Sequence, residues 1–108
     1  MKFRMVHNNL NVFDLDKSLK FYADAFDMKE VKRINASDGS FIIVYLEDGS
    51  SSHRLELTWL RDMDRPYELG DNEFHLAFVL SYPTPYMEIH SVPHLDHKAL
   101  WQFSFPIG

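Results

Sequence analysis

Three segments of the sequence each carry one residue of a metal-binding type at a position that packing does not require. Glu56 lies in the middle of a segment in which apolar and polar residues alternate strictly, Arg54-Leu55-Glu56-Leu57-Thr58-Trp59. Such alternation is typical of a strand with one face on a core and the other face open. Residues 5–12 and 73–80 form two further alternating segments, and His7 and His75 lie on their polar faces as Glu56 does on its own. Imidazole nitrogen and carboxylate oxygen suit nickel, zinc, cobalt or manganese, so the three residues form a candidate metal site.

Each of these residues also has a plain structural interpretation. A single histidine on a strand is more commonly structural than metal-binding, and Glu56 alone could be an exposed strand carboxylate. The four remaining histidines are interpreted as solvated loop residues; they are His53, His90, His94 and His97. The last two are three residues apart and could share a metal on a helix, but the sequence predicts no helix there.

Composition excludes several classes of protein and site. The chain has 108 residues, which favours one domain, and 45% of them are hydrophobic, which is ample for a core. The formal net charge of −5 argues against nucleic acid as a partner. Without cysteine there is no disulfide, thiolate metal site or thiol nucleophile. The longest apolar run, residues 41–46, is too short to span a bilayer, and residues 1–4 do not begin a secretion signal. We therefore expect a cytoplasmic protein that does not bind membranes.

The first half of the chain predicts a strand followed by a helix. The strand covers residues 3–12, with Val6 on the same apolar face as Leu10 and Val12. Asp14 offers an N-cap oxygen, and apolar residues then recur at helical spacing. This helical stripe consists of Leu15, Leu19, Tyr22, Ala25 and Phe26. The helix should end near Asp27, which must adopt a left-handed or similar conformation without being glycine.

Three further strands follow, which gives the order β-α-β-β-β. They cover residues 29–36, the apolar and central 41–46, and the segment that contains Glu56. Turns with Asp-Gly at residues 38–39 and 48–49 separate them. A fifth strand is predicted over 73–80. The tail, residues 81–108, shows no alternation longer than a few residues and contains four prolines.

The stretch from His7 to Phe78 resembles glyoxalase I (lactoylglutathione lyase) of the vicinal-oxygen-chelate superfamily. The matching pieces are His7-Asn8-Asn9-Leu10-Asn11-Val12, Asp14-Leu15-Asp16-Lys17-Ser18-Leu19-Lys20-Phe21-Tyr22, Leu55-Glu56-Leu57-Thr58-Trp59, Tyr67-Glu68-Leu69-Gly70 and Phe74-His75-Leu76-Ala77-Phe78. The resemblance implies an α+β fold of paired βαβββ modules, each curling a sheet around a metal. Strand one would lie beside strand four, which brings His7 and Glu56 together, and His75 would stand at the matching position of the second module.

The chain departs from this family in its second half. The family's fourth ligand is a glutamate on the last strand of the second module, and Glu88, the one glutamate after His75, lies too close in sequence for that role. We therefore expect an incomplete second module, with a truncation or frameshift near Val79-Leu80. The predicted division is a βαβββ module plus one strand over residues 1–80, and an atypical Pro/His-rich tail over 81–108. Asn11 replaces an arginine and Leu60 an asparagine of many relatives, which argues against glutathione as the thiol.

The resemblance implies a metal-dependent lyase that isomerises the hemithioacetal of methylglyoxal and a thiol. Nickel or zinc would act as a Lewis acid, and Glu56 would be both a ligand and the base that moves the proton. We expect this form to be weakly active or inactive. Two alternatives stay open: a non-catalytic binding module that sequesters small molecules, as bleomycin-resistance proteins do, and an inactive fragment. Uncovered sheet edges and the apolar residues of the fifth strand further predict a homodimer, or a larger aggregate if the tail does not cover the edge.

Overall fold

The computed structural model describes residues 1–71, 73, 75–79 and 100–103; for Val79 and 100–103 it describes the backbone alone. The chain divides into two compact units. The first contains Met1–Leu69, and the second contains Gly70–Pro106. The division into residues 1–80 and 81–108 stays a prediction. None of the described helices is long and apolar enough to cross a membrane.

The first unit has the predicted order of one strand, one helix and three strands. Its elements are β1 (His7–Asn11), α1 (Leu15–Phe26), β2 (Lys29–Asn35), β3 (Phe41–Glu47) and β4 (Arg54–Leu60). The four strands form one sheet in the order β1-β4-β3-β2. β1 runs parallel to β4, whereas β3 is antiparallel to both of its neighbours. This mixed sheet with one helix confirms the predicted α+β module.

Helix α1 begins and ends as its sequence predicts. The carboxylate of Asp14 accepts a hydrogen bond from the backbone N–H of Lys17 at 3.1 Å, which satisfies one of the free donors of the first turn. At the other end Asp27 is left-handed, with φ 53°, and its N–H bonds to the carbonyl of Ala23. A residue other than glycine thus closes the helix, as expected.

The core lies between α1 and the face of the sheet that carries the apolar residues of β3 and β4. Leu57 and Val44 are completely buried, and Leu46, Leu55 and Tyr22 are nearly so. Because side chains alternate along a strand, the residues between them, including Glu56 and Tyr45, lie on the opposite face. We call this second surface, which carries the polar residues of β1 and β4, the open face.

Several boundaries differ from the prediction. β1 begins at His7 and not at residue 3, because its partner β4 begins at Arg54, which lies opposite His7. Val6, just before β1, is 48% exposed. Ala25 is exposed, because the buried stripe of α1 follows Leu15 and Tyr22 and leaves Ala25 to one side.

The second unit contains one antiparallel pair of strands. β5 covers Leu76–Val79 and pairs with β6, Leu100–Phe103, so that Leu76 lies opposite Phe103. β5 is shorter than the predicted strand over 73–80; residues 73 and 75 precede it, and residues 74 and 80 lie outside the described part. β6 was not predicted, because four residues in a proline-rich segment are too few to show a period.

Candidate metal centre

His7 and Glu56 meet on the open face of the sheet. The parallel register aligns His7 with Arg54 and Asn9 with Glu56, which places the imidazole beside the carboxylate. His7 Nε2 lies 3.1 Å from Glu56 Oε2. The glutamate side chain is only 14% exposed, while that of His7 is 38% exposed. The expected adjacency of strand one and strand four is therefore confirmed, and the two donors are accessible from one side.

Two neighbours hold the Glu56 carboxylate in place. Thr58, two residues along β4, donates its hydroxyl to Glu56 Oε1 at 3.2 Å and lies 2.7 Å from Asn9 Oδ1. Tyr45 lies directly opposite Glu56 in the β3–β4 register. A hydrogen bond to the Glu56 carboxylate is the largest cause that raises the pKa of the Tyr45 phenol above its usual value. The carboxylate is thus oriented by groups on both flanking strands.

The geometry of the pair fits two ligands of one metal ion. Two atoms that each lie about 2.1 Å from a common ion, at tetrahedral or octahedral angles, are about 3.0–3.4 Å apart. The Nε2–Oε2 distance of 3.1 Å falls in that range. One imidazole nitrogen and one carboxylate oxygen also make a donor set that suits zinc or nickel. Among the described residues, however, no group of three such side chains comes together.

The structure brings together two of the three predicted ligands within its first unit. His75 belongs to the second unit, where it is exposed and immediately precedes β5, so it does not lie within the strand as predicted. Its role as a ligand stays a prediction. His53, expected to be a solvated loop residue, bonds through Nε2 to Asn8 Oδ1 at 2.9 Å and joins the ends of β1 and β4. His90, His94, His97 and Glu88 lie outside the described residues.

A basic pocket of about 440 Å³ opens beside His7. The residues that line it are Arg4, Val6, His7, Lys32, Tyr45, Ser52 and Arg54. The ring of Tyr45 is its centre: Lys32 Nζ and Arg54 Cζ each lie 5.8 Å from the ring centroid, and the imidazole of His7 packs edge-on at 5.5 Å. We refer to this group of residues as the basic pocket.

Sequence reasoning did not single out Tyr45 or the basic pocket. Tyr45 lies in an apolar run that reads as a core strand, and only the register across the β3–β4 turn places it opposite Glu56. A register of this kind depends on the number of residues in the turn and is not visible from alternation. The signal that the sequence does offer is alternation along β3, which places Tyr45 on the same side as Glu47.

Several proteins of known name are similar to this chain. It is 34% identical over 76 residues to lactoylglutathione lyase of Haemophilus influenzae, and 37% identical over 76 residues to that of Neisseria meningitidis. Each match covers 68% of this chain, and 56% and 54% of the respective relative. The chain therefore spans about half the length of these relatives.

A solved structure agrees with these matches. The trypanothione-dependent glyoxalase I of Leishmania major superposes with a TM-score of 0.57 at 32% identity, over 68% of this chain and 52% of that one. The sequence profile of the Glyoxalase/Bleomycin resistance protein/Dioxygenase superfamily matches residues 4–100, nearly the whole chain. Together with the βαβββ sheet and the paired His7 and Glu56, these matches show that the chain belongs to the glyoxalase/bleomycin resistance protein/dioxygenase superfamily.

Proposed function

We propose that this protein is a metal-dependent lyase of the glyoxalase I type, which isomerises the hemithioacetal formed by methylglyoxal and a thiol. The observation that carries the proposal is the contact of His7 with Glu56 on the open face, at 3.1 Å. The names of the relatives from Haemophilus and Neisseria support the same reaction. His75, carried over from the resemblance, is the proposed third ligand.

The residues of the first unit have distinct roles in this proposal. A bound zinc or nickel ion would supply Lewis acidity to the substrate oxygens. Glu56 would take a proton from one carbon of the hemithioacetal and return it to the adjacent carbon, so that no atom is gained or lost. Thr58 and Tyr45 would hold the carboxylate at the angle that this transfer needs. His7 would bind the ion on the exposed side of the pair.

The proposal includes low activity for the 108-residue chain. The relatives are about twice as long as the matching segment, and the sequence offers no counterpart for the family's fourth ligand. In the family that fourth ligand, a glutamate, is the other candidate for the base beside Glu56, and loss of a general base typically lowers a rate by about 10²- to 10⁴-fold. We therefore expect isomerase activity well below that of a full-length relative. A turnover equal to that of the Haemophilus protein, with metal added, would contradict this.

Metal binding tests the site independently of turnover. Glu56→Gln should weaken zinc or nickel binding by about tenfold or more, because a charged ligand is replaced by a neutral amide. The measurement is competition with a chromophoric chelator. Glu30→Gln is a matched control, since Glu30 is also a strand carboxylate but pairs with Arg33 on β2.

Two outcomes decide between the proposal and its alternatives. Equal metal occupancy in the natural chain and in the His7→Ala, Glu56→Gln double variant would exclude the site. Metal binding without turnover of any hemithioacetal would favour the non-catalytic binding module. Location in the cytoplasm stays a prediction. The absence of nucleic-acid partners also stays a prediction, and the net charge of −5 supports it.

A further inference from the structure

Four polar side chains form a square on the open face, two from β1 and two from β4. The parallel register places Asn9 opposite Glu56 and Asn11 opposite Thr58. Residues two apart on a strand lie on the same face, so all four belong to the open face. Asparagine is disfavoured in strands, yet it occupies three of the five positions of β1. Strand propensity therefore does not account for the amides of the square, whereas their hydrogen bonds do.

Short contacts join the members of the square in a row. Asn9 Nδ2 lies 2.9 Å from Asn11 Oδ1. Thr58 Oγ1 lies 2.7 Å from Asn9 Oδ1 and 3.2 Å from Glu56 Oε1. Within the described part of the chain, no hydrogen bond joins Asn9 to Glu56 directly. The hydrogen-bonded path from the amides of β1 to the carboxylate therefore runs through Thr58.

The hydroxyl of Thr58 cannot satisfy both of its neighbours with a single proton. A hydroxyl is one donor, whereas Asn9 Oδ1 and Glu56 Oε1 are both acceptors. If the proton points to Asn9, which is nearer, Glu56 Oε1 loses this donor. If it points to Glu56, the oxygens of Thr58 and Asn9 face each other at 2.7 Å with no proton between them.

A half-turn of both amide groups removes this conflict. It exchanges the oxygen and nitrogen of an amide with little change in shape, and the hydrogen-bond network decides which orientation is adopted. With both groups turned, Asn11 donates to Asn9, Asn9 donates to Thr58, and Thr58 donates to Glu56. Each of the three contacts is then a hydrogen bond at its observed distance. A group that accepts a hydrogen bond is also a stronger donor to the next, so the row strengthens toward the carboxylate.

We propose that Asn9 and Asn11 are positioning residues, which act through Thr58 to hold Glu56 Oε1 and leave Oε2 for the metal ion. Oε2 is the oxygen that lies 3.1 Å from His7 Nε2, so the two oxygens of the carboxylate have separate tasks. This role rests on the proposed metal-dependent function and extends the metal site to the neutral amides of β1.

Carbon-13 NMR of the metal-free protein tests the row of hydrogen bonds directly. The carboxyl carbon of Glu56 is observed in the natural chain, in Asn9→Leu, in Thr58→Val and in the double variant. We expect Asn9→Leu to shift the Glu56 signal in the natural chain but not in the Thr58→Val background, because the hydroxyl that transmits the effect is absent there. No shift on Asn9→Leu, or the same shift in both backgrounds, would overturn the inference.

Further variants separate hydrogen bonding from a general effect of replacing a strand amide. Asn35→Leu is a matched control, since Asn35 is an exposed amide on β2, at the opposite edge of the sheet. It should leave the Glu56 signal unchanged. Thr58→Ser keeps the hydroxyl and should restore the response to Asn9→Leu that Thr58→Val abolishes. If Asn9→Leu makes the protein insoluble, Asn9→Ala and Asn35→Ala give the same comparison.

Zinc affinity separates this inference from the proposed function. In competition with a chromophoric chelator, Thr58→Val should weaken zinc binding about tenfold, as loss of a partner of a metal ligand typically does. Asn9→Leu should cause a smaller loss, and the double variant no greater loss than Thr58→Val alone. If none of these chains binds zinc, the proposed function fails while the row of hydrogen bonds still stands on the NMR measurement. Zinc binding that Asn9→Leu leaves unchanged would contradict the positioning role.

Discussion

At the scale of single residues, the Glu56 carboxylate depends on neighbours from three strands. His7 approaches from β1, Tyr45 from β3, and Thr58 from β4 itself. With a side chain only 14% exposed, a carboxylate surrounded by donors keeps one orientation. Such outer partners typically change metal affinity about 10- to 100-fold when they are removed.

The Tyr45→Phe substitution tests this orientation. It removes the hydroxyl that bonds to Glu56 but keeps the ring that Lys32 and Arg54 approach. We expect zinc or nickel affinity to fall about tenfold, because the hydroxyl that orients the Glu56 carboxylate is lost. Competition with a chromophoric chelator measures the metal affinity of the natural chain and of the variant. Unchanged metal affinity would show that Tyr45 does not position the carboxylate.

Sequence alternation predicted which residues of the site face away from the core, but not which of them meet. The pairing of His7 with Glu56 followed from the family resemblance and is observed. Tyr45, Lys32 and Arg54 converge because of strand registers and a bulge between Glu30 and Lys32, which a single sequence does not encode visibly. Residues at positions 90, 94 and 97 lie outside the described part of the chain.

At the scale of elements, helix α1 covers the apolar face of the sheet with few buried side chains. Leu15 and Tyr22 are buried, whereas Leu19 and Phe26 are half-buried. A helix of 12 residues is marginal by itself, so its caps contribute a substantial share of its stability. Both caps are aspartates, Asp14 and Asp27, and they act by different means: one through its side chain and one through its backbone.

Removing the N-cap oxygen should destabilise the protein measurably. Asp14→Ala leaves the N–H of Lys17 without its acceptor and should lower the free energy of unfolding by about 1 kcal/mol. Asp14→Asn keeps an acceptor oxygen and should retain most of the stability. Urea denaturation at neutral pH compares the two variants. Equal losses for both would mean that the hydrogen bond is not what matters at this position.

Burial of Tyr22 should make stability depend on alkaline pH. Burial raises the pKa of Tyr22 to about 12, whereas the unfolded phenol titrates near ~10. Below pH ~10 the Tyr22 phenol is protonated in both the folded and the unfolded protein, so its full contribution to the free energy of unfolding is present. Between these values the unfolded state loses its proton first, so the free energy of unfolding falls as pH rises.

The Tyr22→Phe variant isolates this effect. It keeps the ring in the core and removes the ionisable group, so its stability should fall less steeply above pH ~10 than that of the natural chain. Urea midpoints at several alkaline pH values give both slopes. If stability fell equally steeply with pH in the variant and in the natural chain, groups other than Tyr22 would account for the loss of stability at alkaline pH.

The elements with the clearest signals were predicted best. The helix with its aspartate caps and the strands beside the Asp-Gly turns appear as expected, and Gly39 and Gly49 adopt φ of 76° and 85°. A left-handed turn position and a helix cap depend on local chemistry, which the sequence carries directly. β6 and the start of β1 depend on partners distant in sequence, and there the prediction was incomplete or wrong.

At the scale of the whole molecule, we predict a homodimer. β1 and β2 are the edges of the first sheet, and exposed apolar side chains lie on or near them: Phe3, Val6, Val31 and Ile34. An edge strand with exposed apolar residues favours pairing with another chain. Phe74 and Leu80, which also motivated this prediction, lie outside the described residues.

Light scattering over a dilution series measures the oligomeric state. We expect twice the mass of one chain at high concentration, with dissociation on dilution. A stable monomer at high concentration would contradict the prediction, and would mean that the chain covers these edges itself.

The parallel contact of β1 with β4 has a consequence for the order in which the protein assembles. The β2–β3 and β3–β4 hairpins join neighbours in sequence and close quickly, whereas Asn9 and Thr58 are 49 residues apart. On the ribosome β1 emerges first, yet it must wait unpaired until β4 has been synthesised. We therefore expect His7 and Glu56 to meet in the last step of sheet closure. An ion held between them would slow the release of β1 and prolong the lifetime of the native state, without hastening its formation.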